Sequence, residues 1–125
     1  MHTEALLDML DWNQPEEIQK SACKAAAGED IKIFLQPCTK RHNKNVWDNC
    51  ARILSQKTDD QLSPYLQELF CWIRDMNWPG AFEIRDRLKK YSNKNELRQA
   101  YEEAIQKARA TKDRAWLDNL LQFMD

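Results

Sequence analysis

Asparagine recurs at positions 13, 45 and 77, a spacing of 32 residues. Each copy falls where one apolar helical pattern stops and another begins, in Asn13-Gln14-Pro15, Asn45-Val46-Trp47 and Asn77-Trp78-Pro79. A period of that size belongs to repeats of two antiparallel helices, each burying its apolar face only against its neighbours. Few other positions match, so the repeat is degenerate. The chain has only two glycines, too few for the turns of a β-sandwich or a dinucleotide-binding sheet. The expectation is an all-α fold. It comprises one helical-repeat domain over residues 1–125, a right-handed stack of about seven helices in antiparallel pairs plus a terminal helix.

The apolar spacing places the helices. Leu6, Leu7 and Leu10 share a face with Glu4, Asp8 and Asp11 outside it. Pro15 suits the first position of a second helix, and Glu16 and Glu17 suit the positive end of its dipole. Gly28 stands where a C-cap would. A short third helix from Asp30 to Gln36 buries Ile31, Phe34 and Leu35 and stops at Pro37. Val46, Trp47, Cys50, Ile53 and Leu54 define a fourth, from about Lys44 to Gln56. Thr58 and Ser63 compete to start the next, whose main part opens at Pro64 and carries Leu66, Leu69, Phe70, Trp72 and Ile73. Pro79 opens a helix packed through Ala81, Phe82, Ile84 and Leu88, with Tyr91 near its end. Asn93 caps one carrying Leu97, Ala100, Tyr101, Ala104 and Ala108. Thr111 or Asp113 starts the last, with Trp116, Leu117, Leu120, Leu121 and Phe123.

Hydrophobic residues at 42% and charged residues at 31% describe a globular chain rather than a disordered one. No stretch approaches the roughly 20 apolar residues of a membrane span, and the first residues lack an export signal. A cytoplasmic location is expected. Cys23, Cys50 and Cys71 occupy apolar helix positions and no CxxC pair exists, so the cysteines read as small core residues rather than a disulfide framework. Net charge is −1 but unevenly spread. Residues 1–30 carry seven acids and two bases, residues 31–57 one acid and six bases. An acidic end therefore adjoins a basic strip.

Little in the chain suggests catalysis. His2 and His42 lie in a tail and a loop, and no ligand spacing for zinc is present. Cys38 and His42 could form a nucleophile–base pair, but no third group orients the base. The carboxylate pairs Glu16/Glu17, Asp59/Asp60 and Glu102/Glu103 fall in first turns or on exposed faces, where dipole and solvation roles account for them. There is no phosphate loop. The expectation is a protein that is not an enzyme and needs no metal and no cofactor.

The segment Leu69-Phe70-Cys71-Trp72-Ile73-Arg74-Asp75-Met76-Asn77-Trp78-Pro79-Gly80-Ala81 resembles the hallmark of a family of small, functionally uncharacterised bacterial helical domains. Their W-x-x-D-x-N-W-P-x-A block is matched by Trp72, Asp75, Asn77, Trp78, Pro79 and Ala81. The resemblance covers residues 59–91 best. It implies a HEAT/armadillo-like fold and, because some such domains sit beside bacterial toxin genes, an immunity protein of a toxin–antitoxin system. No catalytic residue is carried over. On physical grounds the block makes a helix–helix corner. Trp72 and Trp78 would pack against each other or across it, Asp75 or Asn77 would accept N–H groups at the helix start, and Ala81 would allow close approach.

The expected function is non-catalytic protein binding, in its sharper form the masking of a cognate toxin's active site. Glu4, Asp8, Asp11, Glu16 and Glu17 form the expected contact set, since acidic surfaces replace phosphates and speed association. The alternatives are a scaffold module, or a nucleic-acid-binding helical protein using Lys40, Arg41, Lys44, Arg85, Lys89 and Lys90. The slightly acidic total charge disfavours nucleic acid.

Overall fold

In the computed structural model, residues 2–39 and 42–124 are described, Cys38 and Thr39 by backbone alone. Among these residues there are nine α-helical segments and no strand. They are α1 (Thr3–Met9), α2 (Glu16–Ala25), α3 (Gln36–Thr39), α4 (Trp47–Ser55), α5 (Asp59–Leu62), α6 (Leu66–Trp72), α7 (Ala81–Lys89), α8 (Lys94–Ala110) and α9 (Arg114–Phe123). Two of them, α3 and α5, are four-residue turns, which leaves seven longer helices. The fold is all-α.

The 32-residue intervals have a spatial counterpart. Helix α4 packs between α2 and α7, while α6 packs between α3 and α8. Each interval thus places one element in each of two rows, the first interval giving only the turn α3 to the second, with α1 against α2 and α9 against α8 at the ends. The turn at each boundary is the same. Asp11, Asn43 and Asp75 accept, through Oδ1, the backbone N–H of Asn13, Asn45 and Asn77 at 2.8, 2.9 and 2.8 Å. Their own carbonyls then accept the N–H of Gln14, Val46 and Trp78 at 3.0, 3.3 and 3.0 Å. An Asp or Asn side chain that bonds the backbone two residues on builds a turn without glycine. That is how the chain makes three corners while having only two glycines.

These turns correct the expected capping. Asp75 satisfies the turn rather than the following helix, and Pro79 does not open that helix. Gly80, at φ +84°, is its N-cap, and α7 starts at Ala81. Pro15 likewise precedes α2 instead of occupying its first position. Gly28 ends a 3-10 turn over Ala26–Gly28 without a left-handed conformation, so it is not a C-cap of the expected kind. The third helix is a 3-10 segment, Ile31–Phe34, capped by Asp30, and Ile31 is only half-buried. Pro37 sits in the first turn of α3, where its missing N–H costs nothing, rather than ending a helix. Asp113 rather than Thr111 caps α9.

One apolar cluster runs from Leu6 to Phe123 through every longer helix. Phe82 and Leu121 stay outside it, 57% and 48% exposed, against their expected packing roles. Cys50 is buried and Cys23 half-buried, both free thiols. Burial pushes both thiols up from their ordinary range, away from the reactive thiolate. Asn49 is the polar exception inside α4. Its Nδ2 donates to Leu10 O at 2.8 Å and to Gln19 Oε1 at 2.9 Å, which ties α1 and α2 to α4.

Asp59 makes a second polar tie. Its Oδ2 accepts the Ser92 N–H at 2.9 Å and its Oδ1 the Arg87 guanidinium at 2.6 Å, while Arg87 also donates to Lys57 O. The Ser92 backbone bond, then the Arg87 bond, hold the Asp59 carboxyl below its ordinary value. A depressed carboxyl stabilises the fold above the unfolded pKa of about 3.9, and that contribution disappears as pH falls through the folded value. Asp59→Asn should therefore lower the melting temperature at pH 7, with the gap to the parent closing below about pH 4. A gap independent of pH, in melts from pH 7 to pH 2.5, would contradict this.

Candidate functional site

The five acidic residues of the expected contact set lie on or beside α1 and α2, which pack together. Glu4, Asp8, Glu16 and Glu17 are exposed and Asp11 is half-buried. Several are held by partners within the chain. Asp8 Oδ1 lies 2.8 Å from His42 Nε2, Glu16 Oε1 lies 3.3 Å from Lys20 Nζ, and Asp11 holds its own turn. All remain solvent-facing, and exposed pairs of this kind cost little to break. What the charge pattern does not reveal is that two large apolar side chains share this end. Trp12 is 44% exposed and Ile18 37%, within the same stretch of chain as Asp11, Glu16 and Glu17. The Trp12 N–H donates to Asn45 O at 3.0 Å, so its backbone is anchored while its side chain faces water.

The tryptophan corner is built differently from the expectation. Trp72 and Trp78 meet through a third ring. Trp47 stands edge-on to Trp72 at 6.1 Å and 70°, and to Trp78 at 5.5 Å and 88°. Trp72 is fully buried and its Nε1 donates to Pro79 O at 2.9 Å. Trp78 is half-buried, Ala81 fully buried, and Asp75 and Asn77 exposed in their turn. Gly80 lets α7 approach α4. A Cβ there would lie 2.5 Å from Ala51 Cβ and 3.0 Å from Trp47 O. These residues hold the helices, and nothing in their geometry supplies a reactive group.

The basic residues do not converge. Lys40 and Arg41 lie outside the described residues. Lys44 sits over Trp47, its Nζ 5.7 Å from the ring centroid, in a cleft with His42, Arg74 and Trp78. Arg85 pairs with Asp86 at 3.2 Å and covers Phe82. Lys90 shares a cleft with Glu83 and Asp86, whereas Lys89 lines another at the α8–α9 end. No single track for a phosphate backbone joins them. Cys38 of the Cys38–His42 pair has no described side chain, and His42 spends Nε2 on Asp8. Among the described residues no His, Cys, Asp and Glu cluster could hold a metal ion, and no helix is long and apolar enough to cross a membrane.

The geometry defines an all-α protein with a rigid tryptophan corner and two chemically distinct ends. It belongs to the family described as Domain of unknown function (DUF5071), whose model matches residues 41–125. No curated protein and no solved structure matches the chain. The matched stretch takes in α4 to α9 and the whole corner, while α1, α2 and the acidic set precede it.

Sequence reasoning overlooked Gly80, Asn49 and the place of Trp47 between Trp72 and Trp78. Each left a signal. Gly80 is one of only two glycines and follows a proline. Asn49 stands on the Val46–Cys50–Ile53 face, where a polar residue needs a partner. Trp47 lies beside the second repeat boundary, as Trp12 and Trp78 lie beside the first and third.

Proposed function

We propose that this chain is a non-catalytic protein-binding module that meets its partner through the α1–α2 end. The observation carrying the proposal is the exposure of Trp12 and Ile18 among Glu4, Asp8, Asp11, Glu16 and Glu17. Large apolar anchors surrounded by charge are the usual make-up of an interface centre and rim. Five acids steer a basic partner surface and speed encounter. The sharper reading is a cytoplasmic immunity protein that covers the basic active site of a cognate bacterial toxin. The resemblance of the Trp72–Ala81 block supports it, and the two-row order of helices supports a HEAT/armadillo-like stack.

The test is capture of the partner from the native host with tagged protein, followed by affinity measurements with Glu16→Lys/Glu17→Lys. The reversal should leave the fold intact, since both side chains are exposed, with a small drop in melting temperature from two lysines in the first turn of α2. It should weaken binding by about tenfold, mainly through slower association at low salt. Unaltered affinity and salt dependence would remove the acidic end from the interface.

A further inference from the structure

The α8–α9 end carries a cleft of about 420 Å³ lined by Lys89, Lys94, Leu97, Arg98, Tyr101, Phe123 and Met124. We propose that this cleft binds a small amphiphilic carboxylate, an anionic head on an apolar chain of the fatty-acid type. Three of its lining side chains are cationic and none is acidic. Three nearby acids are engaged with other groups. Glu96 accepts the hydroxyls of Ser63, at 3.1 Å, and Tyr91. Asp86 is paired with Arg85 and Asp59 with Arg87. Arg98 has no hydrogen-bond or ion-pair partner among the described residues, and Lys94 Nζ donates only to Lys89 O, at 2.9 Å.

Two features of this charge carry a cost for the fold. Lys94 and Arg98 are four residues apart on α8, a spacing at which like charges repel. Lys94 also occupies the first turn, at the positive end of the dipole of a 17-residue helix, where an acid would be favoured. A bound carboxylate would relieve both costs, and Arg98 could hold it through paired N–H groups.

Beneath the cations the floor is apolar and rigid. Phe123 and Leu97 are almost fully buried, and Phe123 stacks on Tyr101 at 6.0 Å and 27°. Tyr101 is pinned by its hydroxyl to Leu120 O at 2.9 Å. The Lys89 ammonium lies 5.8 Å from the Phe123 ring, at the junction of charge and floor. Met124, 49% exposed, supplies a flexible apolar lip. The volume falls at the small end of the roughly 300–1,000 Å³ typical of ligand sites, and an apolar lining with a few polar groups is their usual make-up.

The experiment is a titration of the full chain with decanoate, followed by amide NMR shifts, with decanol and acetate as controls for head and tail. Saturable one-to-one binding of decanoate is expected, with the largest shifts at Leu97, Arg98 and Phe123. Decanol and acetate should bind at least about tenfold more weakly, as should decanoate to Lys94→Glu/Arg98→Glu. Both substitutions are on exposed positions, and an Arg98→Gln variant serves as the milder check. Absence of saturable decanoate binding below its micellar range would overturn the proposal. So would decanol binding as tightly as decanoate, or undiminished binding by a charge-reversed variant with an unchanged melt.

Discussion

Replacing Trp72 with alanine is expected to lower the unfolding free energy by about 3–5 kcal/mol, the cost of removing a large aromatic side chain from a packed core. Trp72 is the largest fully buried side chain among the described residues. Its removal leaves a void beside the Pro79–Gly80 turn and takes away an edge contact with Trp47 at 6.1 Å. It also strips the Pro79 carbonyl of the indole N–H that reaches it at 2.9 Å. Trp72→Phe separates the two losses, because the ring is partly restored while the carbonyl is left to find water. Its expected cost is about 1–3 kcal/mol, the penalty for a buried acceptor without a partner plus a smaller void. Trp78→Ala should cost less than Trp72→Ala, since Trp78 is only half-buried. Urea unfolding at pH 7 orders the three variants. A Trp72→Ala change under about 1 kcal/mol, or Trp78→Ala exceeding it, would sink the account of the corner.

The corner shows what a sequence can and cannot disclose here. The apolar spacing of α4, α6, α8 and α9 is long and regular, so Val46, Cys50, Leu54, Leu66, Leu69, Leu97, Ala104, Trp116 and Leu120 were legible as core. The boundary asparagines marked the right places for the wrong reason. An Asn before a Pro suggests a cap, yet the working side chains are Asp11, Asn43 and Asp75, two residues earlier. Helix caps and such turns use the same residue types, and only the backbone path separates them. Phe82 and Leu121 failed because helical periodicity states which residues share a face, not whether a neighbour covers it.

The candidate surfaces divide along the same line. Charge counting found the acidic end, because net charge over a stretch of chain survives any packing of it. It could not find Trp12 and Ile18, which look like core residues until the neighbouring helices leave them uncovered. The α8–α9 cleft was also illegible. Lys89, Lys94 and Arg98 scatter over two helices in sequence, and only the turn between α7 and α8 brings them into one cleft with Phe123.

Gly80→Ala should be the most damaging small substitution in the chain, costing about 2–5 kcal/mol. Of this, roughly 1–2 kcal/mol is the price of the left-handed backbone for an L-residue, and about 1–3 kcal/mol is overpacking. The φ of +84° alone does not settle the matter, because Lys112 tolerates +57° at the end of α8. Crowding decides it. An alanine Cβ at position 80 would come to 2.5 Å from Ala51 Cβ, 3.0 Å from Trp47 O and 3.3 Å from Trp72 Cζ2. One neighbour is backbone and another the buried indole, so α7 would have to move away from α4 and open the corner. Ala51→Gly removes the nearest of the three contacts while leaving the backbone strain. Combined with Gly80→Ala, it should recover part of the loss, with a coupling of about 0.5–3 kcal/mol between the two positions. Additive costs in the double variant would show that backbone strain alone makes glycine necessary at this position. A Gly80→Ala protein as stable as its parent would mean that the approach of α4 and α7 is looser than 2.5 Å implies.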